Sequence, residues 1–389
     1  MSTGCLSSPV HDVRRPPRPT PSGRGRSPPP ADGGLISAPP VSVTVSDRDD
    51  TGKVDRTVFE TVIAPHLGAS RSDVALGPTA GVDFGVVEVG DEALVTATDP
   101  VSVLPALGWE RAGRFAMGIV LADVAVSGLA PTHVAVGLHL PAPAEFGDDA
   151  LRETWRGMSA AAADVGAAVV TGHTGRYADC SLPWVGAATA MAVGDPDRVV
   201  RPDGARPGDR LVVTKGPAVE SAALLAHLFP DRLRAATDDA TVERARALIG
   251  RATPVRDALV AAAAGPVTAM HDATERGLAN ALHETTAAAG VGVEVERAAV
   301  PLAPTVRRTC EAFGIDPWAS AGSGALLVTV APDGVEAVLA ALADEGIEAS
   351  EVGRVVETPD VRVDGEPLAR PERDGFGEVY ASLSSTYSD

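Results

Sequence analysis

A chain of 389 residues, 45% apolar, with 33 basic and 52 acidic side chains and a formal charge of −19, is long enough for two domains of about 100–200 residues each. It has no apolar run near the ~20 residues of a membrane helix, and its three cysteines (Cys5, Cys180, Cys310) fit neither a disulfide framework nor a zinc cluster. So acidic a chain repels a phosphate backbone, which argues against nucleic acid as a partner.

Residues 1–50 hold ten prolines, six arginines and five acidic groups. Such a composition cannot bury enough surface to offset its ordering entropy, so a disordered tail is expected there. Arg14-Arg15 and Gly4-Cys5 lack the apolar segment of an export signal, which points to a cytoplasmic protein. The remaining 27 basic and 47 acidic side chains are spread over helix faces and loops. That pattern suits a surface kept hydrated in high salt. Only Lys53 and Lys215 among the basic residues are lysines.

From about Gly52 the hydrophobic period alternates between 2 and 3.6 residues. Strands are expected at Val82–Val89 and Ala93–Thr98, around a turn at Gly90-Asp91, then a helix over 110–127. A strand at His133–Leu140, a helix over 148–166 and strands at Ala167–Val170 and Trp184–Val193 complete a ββαβαββ domain, 52–195. A Pro/Gly/Asp/Arg-rich connector at 194–209 separates it from a second domain, 207–370. That domain begins with the strand Arg210–Thr214 and a helical region over 218–264, broken near Pro230 and Pro254. Strand Val267–Met270, helix Leu278–Ala289, strands Gly292–Glu296 and Ala325–Val330, a helix over 333–345 and a strand near 350–356 follow. Residues 371–389 are read as a C-terminal tail. The fold class is α+β in two domains, the second a mixed α/β unit.

The chemistry-bearing residues fall at strand ends and helix starts. Asp83 follows the Gly77-Pro78-Thr79-Ala80 loop, Asp99 ends the second strand, and Asp123 interrupts a strongly apolar helix where an unpaired charge is costly. Carboxylates converging from three such places suit a hard divalent ion that bridges phosphates; taken singly, each also fits an ordinary turn or helix residue. Gly172-His173-Thr174-Gly175 offers backbone amides, an imidazole and a hydroxyl to an anion, or is a plain turn. Lys215-Gly216 ends a strand and places a compact ammonium where a phosphate could lie. His271-Asp272-Ala273-Thr274 leaves a strand and opens a helix, whose N-terminus favours anions; a simple helix cap is the alternative. Cys180 and Cys310 show no nucleophile pattern.

Taken in order, Gly81-Val82-Asp83, Thr98-Asp99-Pro100, Ala122-Asp123-Val124-Ala125-Val126-Ser127-Gly128, Gly172-His173-Thr174, Pro207-Gly208-Asp209, Thr214-Lys215-Gly216, His271-Asp272-Ala273-Thr274-Glu275-Arg276-Gly277-Leu278 and Ser323-Gly324-Ala325 resemble the aminoimidazole ribonucleotide synthase (PurM-like) superfamily over about residues 52–370. The pattern is most similar to the archaeal branch containing the hydrogenase maturation protein HypE. The resemblance implies ATP with Mg²⁺, transfer of the γ-phosphoryl group to a small-molecule, carbonyl or amide acceptor, and a homodimer whose N-terminal sheets join into an intersubunit barrel. It implies Asp83, Asp99 and Asp123 as metal ligands and His173, Thr174, His271 and Asp272 as catalytic residues. Gly172, Lys215, Gly216 and Thr274 would then hold the cofactor. A kinase of the thiamine-monophosphate type and a non-catalytic ATP-binding scaffold are the alternatives. The chain departs from the family pattern at Val82, Ala122 and Glu275-Arg276-Gly277. It ends in Ser-Ser-Thr-Tyr-Ser-Asp rather than in an acceptor cysteine.

Overall fold

The computed structural model describes residues 53, 54 and 56–386; the expectation for residues 1–50 lies outside them. The described chain opens with a single turn, α1 (Arg56–Val58), that runs on as irregular helical turns to His66 with no buried residue. Strands β1 (Val74–Leu76), β2 (Gly85–Val89) and β3 (Glu92–Ser102), helix α2 (Trp109–Ala125), strand β4 (His133–Leu140), helix α3 (Asp148–Asp164), and strands β5 (Ala168–Arg176) and β6 (Trp184–Gly194) form the first domain. Its sheet runs β1-β2-β3-β6-β4-β5, antiparallel except for the β4–β5 pair.

Alternation along β3 decides which side chains meet the helices. Ala93, Val95, Ala97 and Val101 are buried, whereas Glu92, Thr98 and Pro100 are exposed. Asp99 has the parity of the buried set, so it faces α2 rather than solvent. Helix α2 lies against α3 with no room for side chains at the crossing. A Cβ on Gly113 would stand 2.0 Å from the Thr154 carbonyl oxygen, and one on Gly157 1.9 Å from that of Glu110. This contact presses α2 onto the sheet and fixes the depth of Asp123, which lies among buried Ala122, Val124 and Ala125.

The second domain contains β7 (Arg210–Thr214), α4 (Val219–Leu228), α5 (Pro230–Ala236), α6 (Asp239–Ala247), α7 (Val255–Ala264), β8 (Val267–Asp272), α8 (Gly277–Ala289) and β9 (Gly292–Val295). It continues with α9 (Pro304–Phe313), β10 (Leu326–Val330), α10 (Val335–Asp344), β11 (Ala349–Val356), β12 (Val361–Val363), β13 (Glu366–Pro367) and α11 (Gly375–Thr386). The sheet order is β13-β12-β9-β11-β7-β10-β8. Strands β7 and β10 are apolar on both faces, as a sheet covered on both sides requires. Val212 and Val328 join α7 and α10 in a core continuous with the first domain, while Leu211, Val213 and Leu327 pack with Leu278 and Leu282 of α8. Among the described residues no helix is long and apolar enough to cross a membrane.

Two expectations change here. Residues 375–386 are not a tail: α11 seats Phe376, Val379 and Leu383 beside Leu225, Leu233 and Phe313. The Gly172-His173-Thr174 segment is not a loop but the middle of β5, because β4 pairs with it along its whole length.

Candidate active site

The two domains bring together carboxylates from four elements. Asp83 comes from the turn before β2, Asp99 from β3 and Asp123 from α2. Asp272 is the last residue of β8. One ligand atom each of Asp83, His271 and Asp272 lie within 4.8 Å of one another. Asp272 is 1% exposed, and neither of its side-chain oxygens has a hydrogen-bond partner. A buried carboxylate normally satisfies its oxygens, since leaving them bare costs more than a typical hydrogen bond returns.

The protonation pattern follows from that crowding. Burial, reinforced by Asp83, pushes the Asp272 carboxyl up to about 7. Burial, then Asp272, Asp99 and Asp83, pushes Asp123 well above the usual carboxylate range, and burial raises Asp99 as well. A cluster of acids that resists losing its protons is one that a divalent cation would complete.

His271 answers to the same charges with opposite sign. Burial alone would lower its imidazole, but Asp83, Glu284 and Asp272 outweigh burial and carry it up to about 10. Its Nε2 stands 3.3 Å from Glu284 and 3.7 Å from Asp83, and its Nδ1 donates to the Asp272 carbonyl oxygen at 2.6 Å. Glu284 on α8 is held down at about 2; burial opposes this, and His271, Lys53 and Arg370 overcome it. Arg370 in turn reaches Glu284 at 3.1 Å and Asn280 at 2.8 Å. An imidazolium has no lone pair for a metal or for a proton in flight. In the metal-free protein a protonated His271 is the counter-ion of the carboxylates around it.

A pH dependence follows with a definite sign. The folded His271 holds its proton up to about 10 against an ordinary value near 6.5. Its stabilising contribution is complete below pH 6.5 and is lost as pH rises towards 10. The metal-free protein is expected to melt progressively lower between pH 7 and 9.5 in a scanning fluorimetry series, and His271→Gln is expected to flatten that slope. An equal slope in both proteins would contradict the assignment.

The other expected residues are distributed differently. Lys215 is buried at the end of β7, its ammonium 3.1 Å from Asp257 and donating to the Arg251 and Thr253 carbonyl oxygens. Those partners use the donors that a phosphate was expected to take. Gly216 has φ 82°, and a Cβ on it would meet the Pro301 carbonyl oxygen at 1.8 Å, so chain packing accounts for this glycine. Thr274 lies two residues past Asp272 and its hydroxyl donates to Glu275 at 3.1 Å. His173 hydrogen-bonds the Tyr177 hydroxyl at 2.9 Å. The register Asp99–Ala188–Val136–Gly172 puts β5 three strands from Asp99, about 14 Å away in the same chain. Cys310 is buried and its thiol is pushed up to about 12 by that burial, as an inert core residue should be.

Lys53 was not anticipated as a site residue. Its ammonium stands 3.4 Å from Glu275 and 3.7 Å from Asp83, and these charges with those of Asp123 and Glu284 outweigh burial to raise it well above the ordinary lysine value. Its rarity was the available signal. Glu284 and Arg370 carried none, because they reach the site only through the packing of α8 and the chain after β13.

Models of the AIR synthase related protein match this chain twice, the N-terminal domain over residues 81–193 and the C-terminal domain over 206–366. The chain belongs to the AIR synthase related, PurM-like family. A carbamoyl dehydratase HypE of Rhizobium leguminosarum bv. viciae is 29% identical over 281 residues, covering 71% of this chain and 77% of that protein. A thiamine-monophosphate kinase of Halobacterium salinarum is 35% identical over 302 residues, covering 75% and 92%. The crystal structure of Escherichia coli HypE superposes with a TM-score of 0.63 at 26% identity over 74% of this chain and 88% of that one. A HypE solved in complex with ATP shares the fold, with a TM-score of 0.59 at 22% identity over 82% and 92%. Asp83, Asp99 and Asp123 fall inside the first matched segment and Asp272 inside the second.

Proposed function

We propose that the protein is a Mg²⁺- and ATP-dependent phosphoryl-transfer enzyme. The reading rests on one observation above the others: Asp272 presents two buried, unpartnered carboxylate oxygens to a cluster it shares with Asp83. Asp83, Asp99, Asp123 and Asp272 would hold the ions, which when bound neutralise phosphate charge and favour in-line transfer. The chain's own part is to bind and orient. Glu284 and Arg370 fix His271, which keeps Asp83 and Asp272 at close range despite their charge. The ATP complex of a HypE and the kinase and dehydratase activities named for the relatives support this reading.

The working unit in this reading is a homodimer. Among the described residues no helix covers the face of the first sheet opposite α2 and α3, and it exposes Trp184 (62%), Val193 and Pro100. Strand β5 is an edge strand exposed at every position but Gly175. Such a surface is a template for pairing with a second copy. Gly172, His173 and Thr174 lie on that edge, so their proposed contact with phosphate or acceptor is made across the subunit boundary.

The acceptor is a small molecule or a carbonyl or amide group. Phosphate release from ATP, measured with Mg²⁺ and with chelator in the presence of thiamine monophosphate, selenide or a carbamoylated thiol peptide, tests the reading. Metal-dependent turnover with one of them is the expected result. ATP bound without turnover under every condition would favour a scaffold and overturn the enzyme assignment.

A further inference from the structure

The turn that leads from Asp272 and Thr274 into α8 holds a conformation that its residues do not favour. Arg276 has φ 60° and ψ 15°, and Gly277 follows at φ 62°, so two consecutive residues are left-handed. Glycine enters that region freely, whereas an arginine there is strained and persists only where its surroundings hold it. The holding group is remote in sequence. Asp374, which immediately precedes α11, accepts the Arg276 N–H on one carboxylate oxygen at 2.6 Å. Its other oxygen accepts the N–H groups of Phe376 and Gly377 at 2.9 and 3.1 Å, which caps α11. One carboxylate therefore ties the C-terminal helix, itself anchored by Phe376, Val379 and Leu383, to the turn after β8.

The tie matters because no hydrogen bond holds the Asp272 side chain. Both its carboxylate oxygens are unpartnered, so the backbone aims them at Asp83. On the strand side, Asp272 pairs with Leu326 of β10, and the Ala273 N–H donates to the Ala325 carbonyl oxygen at 3.1 Å. Further on, the Gly322 N–H reaches the Thr274 carbonyl oxygen and the Asn280 amide that of Glu275, both at 3.2 Å. Of these contacts and that of Asp374, only the last is charge-assisted, and it is also the shortest.

We propose that Asp374 is a positioning residue for the metal centre: its carboxylate holds Arg276 in the left-handed conformation and thereby keeps Asp272 aimed at Asp83. Helix α11 is then a working part of the site rather than a terminal appendage. The inference rests on the reading of Asp83 and Asp272 as metal ligands. When the tie is cut, the turn relaxes in part of the molecules, and the apparent affinity for the ion falls by the fraction that stays in place. Asp374→Asn cuts it selectively. The one oxygen that asparagine keeps serves either the cap of α11 or the Arg276 N–H, and the two cap bonds outweigh the single tie.

The test is calorimetry with Mn²⁺ alone, without nucleotide, on the full native chain, Asp374→Asn, Arg276→Gly and the double variant. Mn²⁺ binding is expected to weaken about three- to tenfold in Asp374→Asn. Glycine needs no help at φ 60°, so Arg276→Gly should raise the affinity more in the Asp374→Asn background than in the native one. That comparison cancels the arginine charge, which is removed in both backgrounds. Amide exchange across residues 273–277 of the metal-free proteins, followed by mass spectrometry, should quicken in Asp374→Asn and slow again in the double variant. Unchanged Mn²⁺ affinity or unchanged exchange in Asp374→Asn would overturn the proposal while leaving the metal site standing. So would a loss of affinity that Arg276→Gly recovers no further than its effect in the native chain. Mn²⁺ bound by none of the four proteins would remove the metal site and this role with it.

Discussion

Asp272→Asn is expected to abolish most metal-dependent turnover while making the metal-free protein more stable. The two effects share one cause. Asp272 is buried, its oxygens are unpartnered and its carboxyl is pushed up to about 7 by burial and by Asp83. Keeping it charged at pH 8 therefore costs folding free energy. A neutral amide relieves that charge but needs its own hydrogen bonds, so the net gain is on the order of 1–2 kcal/mol. The same change removes a full negative charge from the ion's coordination. A preorganised group aimed at developing charge typically contributes a factor of about 10²–10³, and a loss of that size is expected in phosphate release. Thermal melting and turnover measured on the same preparation separate the interpretations. If Asp272 were a structural residue, Asn would lower both.

Lys215→Met is expected to destabilise the fold by about 3–5 kcal/mol, the usual cost of leaving one partner of a buried ion pair alone. Asp257, to which Thr214 also donates at 2.5 Å, would remain as an uncompensated charge in the core between β7 and α7. The double variant Lys215→Met/Asp257→Leu is expected to recover most of the loss, because it removes both charges. Denaturant titration of the three proteins gives these differences directly. At denaturant-free, low temperature, where Lys215→Met remains folded, its Mg²⁺-dependent ATP affinity should match the native protein. A drop in that affinity which the double variant fails to restore would show that Lys215 holds phosphate after all.

How much of this could be read from the residues depends on range. His133–Leu140 and Arg210–Thr214 were legible to the residue, since both are apolar runs closed by turn signals. The extension of β5 through Gly172-His173-Thr174 was hidden: glycines and polar side chains look like a loop, and only pairing with β4 makes them a strand. Helix α9 did carry its signal, with Pro304 at its first turn, Val306, Cys310 and Phe313 on one face and Gly314 at φ 70° closing it. The same holds for α11, whose Phe376, Val379 and Leu383 have helical spacing.

The site divides along similar lines. Asp83, Asp99, Asp123 and Asp272 were individually ambiguous, and their order along the chain singled them out. Burial of Asp99 towards α2 follows from the strand parity. The charge that His271 carries among these carboxylates could not be read locally. It requires Glu284 from α8 and Asp83 from the other domain to converge on one imidazole. Ala122 is packed in the first-domain core at 1% exposure, so an asparagine placed there would have to bury its amide.

The central claim is that the carboxylates from both domains hold the metal ion through which ATP is bound. Calorimetric titration of ATP with Mg²⁺ and with chelator, into the native protein and into Asp83→Asn, Asp99→Asn, Asp123→Asn and Asp272→Asn, tests it most directly. The account predicts ATP affinity that depends on Mg²⁺ in the native protein and falls in each variant; affinity that chelator and all four substitutions leave unchanged would contradict it.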